Sequence, residues 1–92
     1  MPFTLVATRH FERRARKFLR KHRDLKSAVK EILEQLRQDP FEPSIELHGL
    51  SGKLSGIQAV SITHSYRLTL TLKVMEREII LLDIGGHDEV YR

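Results

Sequence analysis

A chain of 92 residues with a net charge of +4 and no cysteine has room for one hydrophobic core, so a single domain over 1–92 is expected. The missing thiols exclude disulfides and thiolate metal sites and fit a reducing, cytoplasmic compartment. No apolar run approaches the roughly 20 residues of a membrane span, and the start, Met1 to Ala7, lacks the basic segment of a secretion signal.

In chain order, Phe3 to Ala7 reads as a short strand, and Thr8 is placed to cap the helix that follows. Phe11, Ala15, Phe18 and Leu19 then recur at i, i+4, i+7 and i+8, one face of an α-helix. Asp24 can cap a second helix. Its Leu25, Ala28, Val29, Ile32, Leu33 and Leu36 form the clearest amphipathic stripe in the chain, and Asp39-Pro40 ends it. The short connection at 22–24 implies a helical hairpin with both stripes on a common core.

From Pro40 to Gly56 proline and glycine punctuate an irregular stretch, with Ile45 to His48 as a short extended piece. Ile57 to Ile62 is the next strand and 63–65 a turn. Tyr66 to Val74 alternates, Leu68, Leu70, Leu72 and Val74 against Arg67, Thr69, Thr71 and Lys73. In Glu78 to Ile84 the even-numbered Ile80, Leu82 and Ile84 share the apolar face. The class is α+β, an N-terminal strand and a two-helix hairpin packed on a small, mainly antiparallel sheet. That parity puts Arg67, Asp83 and Gly85 on the open face of the sheet, with His87 just beyond.

The charge is unevenly spread. Residues 1–39 hold eleven Lys/Arg against five Asp/Glu, and 40–92 hold five against seven. Eight basic residues fall within 9–23 against Glu12 alone. Like charges so close together on a helix repel one another. Arg13, Arg16, Lys17 and Arg20 are therefore candidates to meet a polyanion or an acidic partner.

Five histidines are the main chemical resource, because imidazole exchanges protons near neutral pH. His10, His22 and His64 read as surface residues. His48 and His87 lie in glycine-flanked segments beside the sheet, where reactive side chains concentrate. RNA can be cleaved without metal when a base deprotonates the 2′-OH, an acid protonates the departing 5′ oxygen and a cation steadies the phosphate. Arg67 has the fork for phosphate, His48 and His87 suit the acid–base pair, and Tyr91 can donate a proton, align the phosphate or stack on a base. No HxxxH or HExxH spacing, P-loop or GxGxxG is present, and Ser51 with His48 lacks an orienting third group. Neither metal nor cofactor is expected.

The basic hairpin, the block Leu50-Ser-Gly-Lys-Leu-Ser-Gly56 with Ser65-Tyr66-Arg67-Leu68, and the ending Asp83-Ile-Gly-Gly-His87-Asp-Glu-Val-Tyr91-Arg92 together resemble the RelE/ParE superfamily of type II toxin–antitoxin toxins. The resemblance runs over essentially the whole chain and is nearest the RelE and YafQ-like ribosome-dependent mRNA interferases. It implies cleavage of mRNA on the ribosome, neutralisation by a cognate antitoxin, and contact with operator DNA only through the antitoxin complex. It assigns phosphate stabilisation to Arg67, acid or base roles to His87 and His48, and an aromatic role to Tyr91. Two departures stand out. Lys53 is the one lysine in a loop where RelE carries several, and Ser61 and Ser65 replace a catalytic histidine and aspartate of YafQ-like members. The ParE branch, associated with gyrase inhibition, shares the fold without needing these histidines, and a degenerate toxin that only binds antitoxin is a third reading.

Overall fold

The computed structural model describes residues 2–91; Met1 and Arg92, the last residue of the C-terminal block, lie outside the described residues. Thr4–Ala7 forms β1, and Thr8 caps α1 (Arg9–Lys21) by accepting from the Phe11 N–H at 3.0 Å. The same hydroxyl donates to the Leu81 carbonyl at 2.9 Å, so one side chain starts the helix and fastens it to the sheet. Asp24 does not cap the second helix. It sits inside a 3-10 turn, Arg23–Leu25, and α2 (Lys26–Gln38) follows with no side-chain cap. The turn keeps the Leu25 N–H on the His22 carbonyl, which leaves no cap position for the aspartate to fill. α2 ends where expected, with Asp39 extended ahead of Pro40.

The irregular stretch contains two 3-10 turns, Pro43–Ile45 and Gly52–Leu54, and a two-residue β2, His48–Gly49. Ile45 to His48 is not extended as a whole: Ile45 closes a turn and Glu46 adopts φ 51°, so only His48 reaches the sheet. β3 (Gln58–Ser61), β4 (Tyr66–Lys73) and β5 (Glu78–Gly86) form the meander, and a short helix, α3 (His87–Val90), follows β5 directly. The sheet order is β1-β5-β4-β3-β2; β1 runs parallel to β5 and every other pair is antiparallel.

The parity expected for β5 is wrong over most of its length. Ile79 and Leu81 are buried in the core, then Ile84, whereas Ile80 and Leu82 are half-buried. The change from odd to even needs one inserted residue. The register shows it: Leu70 faces Leu81 but Thr69 faces Asp83, which leaves Leu82 as a bulge. A one-residue shift exchanges the faces of everything beyond it. Beyond the bulge the expected parity returns, with Ile84 in the core, Asp83 opposite Thr69 and Gly85 opposite Arg67, and the Asp83 carboxylate reaches His10 and Arg14 of α1.

The helical hairpin covers one face of the sheet. Phe11 and Phe18 of α1 and Val29 and Leu36 of α2 pack with Val60, Leu68, Leu70, Ile79, Leu81 and Ile84. Full burial of each such aliphatic side chain contributes roughly 1.5–3 kcal/mol. Among the described residues, no buried side-chain nitrogen or oxygen lacks a hydrogen bond.

Candidate active site

The register of the meander puts the start of β4 against the end of β5, with Tyr66 opposite Gly86 and Arg67 opposite Gly85. His87 follows at once as the first residue of α3. Its side chain is 69 % exposed, and its ring meets Tyr91 edge-on at 4.4 Å between centroids. Tyr91 closes the helix, its N–H donating to the His87 carbonyl at 3.2 Å. Two of the four candidate catalytic side chains thus touch, and the strand pairing brings a third alongside them through the backbone.

Arg67 is held by its own turn. Its Nη1 donates to the carbonyls of Thr63 and His64, each at 3.2 Å. A guanidinium has five donors, and among the described residues the Nε–Nη2 edge, the fork that fits two phosphate oxygens, has no partner. His48 stands apart. β2 is three strands from β5, about 14 Å at the usual spacing, and the His48 Nδ1 lies 3.1 Å from the Glu46 carbonyl. The cross-strand row His48–Ala59–Thr69 places it on the same face as Arg67, at a distance from His87. Lys53 is exposed in the second 3-10 turn, and Arg13, Arg16, Lys17 and Arg20 are exposed on α1. Among the described residues no group of three or more His, Asp or Glu side chains could hold a metal ion.

α3 is fixed by a charge network. Arg14 points inward from α1 and bridges Asp83 (Nε to Oδ1, 3.1 Å) and Glu89 (Nη2 to Oε2, 3.0 Å). His10 Nε2 lies 3.3 Å from the other Asp83 oxygen. Glu89 Oε1 also accepts from the Gly86 N–H at 2.9 Å, satisfying an exposed donor of the first turn. The Gly86 N–H and then the Arg14 guanidinium hold the Glu89 carboxyl below its ordinary range. Gly85 makes room for this. With φ 155°, its added Cβ would stand 2.9 Å from Glu89 Oε1 and 3.0 Å from Arg14 Nη2.

No family model matches the chain, and no curated protein matches its sequence. Solved structures do match. A copper-bound mutant toxin from Helicobacter pylori is 27 % identical, with 97 % of this chain and 99 % of that one covered and a TM-score of 0.80. The DinJ–YafQ toxin–antitoxin complex of E. coli gives 14 % identity, full coverage of both chains and a TM-score of 0.81. The RelBE2 toxin–antitoxin complex of Mycobacterium tuberculosis gives 20 % identity, 95 % and 100 % coverage and a TM-score of 0.71. The fold is that of the RelE/ParE toxins.

Within this toxin fold, sequence reasoning missed the residues that hold α3. Arg14 was one basic residue among eight, with nothing in the sequence to pair it with Asp83. One signal was present: Gly86-His-Asp-Glu89 has the spacing of a capping box, with the half that glycine can still make. His22 is not a plain surface residue either. It packs on Phe18 and Tyr66, both at 4.6 Å between centroids.

Proposed function

We propose that this chain is the toxin of a type II toxin–antitoxin pair and that it cleaves mRNA on the ribosome without a metal. The observation that carries this reading is the oriented Arg67. Two turn carbonyls fix its guanidinium while leaving the phosphate-binding edge without a partner among the described residues, and its strand neighbour leads directly to the exposed His87–Tyr91 pair. In this mechanism a base takes the proton of the 2′-OH and the oxygen attacks the adjacent phosphorus. The 5′ oxygen leaves with a proton from an acid, giving a 2′,3′-cyclic phosphate and a 5′-hydroxyl. Arg67 steadies the charge on the phosphate oxygens. His87 exchanges one of the protons, with Tyr91 against its ring as the second donor or as the aligning group. His48, on the same face and farther along the sheet, meets a neighbouring nucleotide.

The toxins and toxin–antitoxin complexes that share this fold support a cognate antitoxin as partner. Copper is bound in one of those toxins; in this chain no three suitable side chains converge among the described residues, and cleavage is expected to survive chelation by EDTA. The deciding experiment is induction in a bacterial host with mapping of transcript ends, for the native chain and for Arg67→Ala and His87→Ala. Cleaved transcripts with the native chain and none with either variant are expected. Undiminished growth inhibition by both folded variants overturns the catalytic assignment, and DNA damage with intact transcripts points to gyrase instead.

A further inference from the structure

A second site lies on the other side of the Arg67–Gly85 register pair. A cavity of about 180 Å³ opens between α1, the start of β4 and α3. Arg14, Lys17, Phe18 and Lys21 line it from one stripe of α1, at i, i+3, i+4 and i+7. Three cations on one stripe, two of them at i and i+4, repel one another. The one carboxylate lining the cavity, Glu89, already accepts from Gly86 and Arg14. The cavity therefore carries unspent positive charge.

Its remaining wall is aromatic. Tyr66 and His22 pack together at 4.6 Å, with Phe18 edge-on to Tyr66 at 5.1 Å. Neither the Tyr66 hydroxyl nor a His22 ring nitrogen has a hydrogen-bond partner among the described residues, and neither is sealed from solvent. Cations, ring planes and open hydrogen-bonding tips are the combination that holds single-stranded nucleic acid through backbone charge and base contacts. The cavity is smaller than the roughly 300 Å³ lower limit of sites for drug-sized ligands. That size suits a single base, with its phosphate outside at the mouth beside the exposed Lys17 and Lys21, rather than a helix of a protein partner.

We infer that this cavity is a subsite for the nucleotide flanking the cleaved position of a single-stranded RNA, with Lys17 and Lys21 on its phosphate and Tyr66 and His22 against its base. The inference rests on the reading of this chain as an RNA-cleaving toxin and places the RNA strand across the β4–β5 end. Gly85, the register partner of Arg67, lines the cavity itself and joins the two sites through the backbone.

The test measures binding alone, so that it stands or falls apart from cleavage. A 2′-O-methylated RNA tetranucleotide, which has no attacking hydroxyl, is titrated into the full-length chain and followed by NMR and by fluorescence anisotropy at several salt concentrations. The amides of Lys17, Lys21, His22 and Tyr66 are expected to shift. Lys17→Gln with Lys21→Gln should weaken binding about tenfold and flatten the salt slope by roughly 0.7 for each phosphate that is no longer neutralised. Tyr66→Phe keeps the ring and the fold and should weaken binding a few-fold. Unchanged affinity and salt slope in the double variant overturn the subsite. So does the same set of shifts at equal affinity with inorganic phosphate alone, or a hexa-aspartate peptide that occupies the cavity more tightly than the RNA. If transcripts are cleaved by His87→Ala while these shifts persist, the catalytic assignment fails and the subsite stands.

Discussion

Removing Arg14 should loosen the whole C-terminal end of the protein. The Asp83 side chain is 15 % exposed and Arg14 25 %, so this bridge is largely shielded from water. A charge-assisted bond there is worth about 1.5 kcal/mol after allowing that Asp83 keeps the Ile84 N–H and His10. The Glu89 bridge is half exposed and adds only about 0.5 kcal/mol. Arg14→Gln should therefore cost about 2 kcal/mol, which for a domain of this size lowers Tm by roughly 8–16 °C. Thermal unfolding followed by circular dichroism measures it. Hydrogen exchange at the Tyr91 amide, whose N–H closes α3, should accelerate beyond the global change. A double-mutant cycle with Glu89→Gln should return a coupling near the 0.5 kcal/mol assigned to that pair. If Arg14→Gln melts within about 2 °C of the native chain and α3 exchanges as before, the network does not hold the helix.

Three further outcomes follow from the same geometry. Gly85→Ala puts a methyl against both ends of the Glu89–Arg14 bridge at a positive φ, and a loss of about 1–3 kcal/mol is expected in chemical denaturation. Glu89 has a depressed carboxyl, so its contribution is complete above its unfolded value and is lost as pH falls through the lower folded one. Tm should fall more steeply between about pH 5 and 3 in the native chain than in Glu89→Gln. Equal slopes in the two proteins count against that linkage. Glu34, lowered to about 2 by hydrogen bonds from Arg37 and then Gln38, titrates in the same direction in both. Leu36→Ala removes a fully buried side chain from the hairpin–sheet contact and should cost about 2–5 kcal/mol, while His87→Ala, at an exposed position, leaves Tm nearly unchanged.

The fold was legible because its signals are periodic. The stripe ending at Leu36 and the alternation through Leu68 and Leu70 each repeat several times, and the burial of Leu36, Leu68 and Leu70 follows them. Proline fixed the end of α2, and Thr8 its expected cap on α1. Asp24 misled because a cap depends on the backbone of the preceding residues, and the 3-10 turn at Arg23–Leu25 has no side-chain signature of its own. α3 is four residues long, too short for any period to show.

The candidate site was legible by residue type and only partly by position. Arg67 pairs with Gly85, two residues before His87, through the pairing of β4 with β5, a consequence of antiparallel order that the alternation already contained. The bulge at Leu82 is different in kind. In Glu78-Ile-Ile-Leu-Leu-Asp-Ile84 four consecutive aliphatic residues fit either parity, so the run is silent about which of them faces the core. The bulge lets Ile79 and Leu81 face the core before it and Ile84 after it, with Asp83 held by Arg14 and His10. The Arg14–Asp83 and Arg14–Glu89 bridges join two features the sequence shows separately. They tie a basic helix to an acidic strand end, and through Glu89 they hold the helix that presents His87.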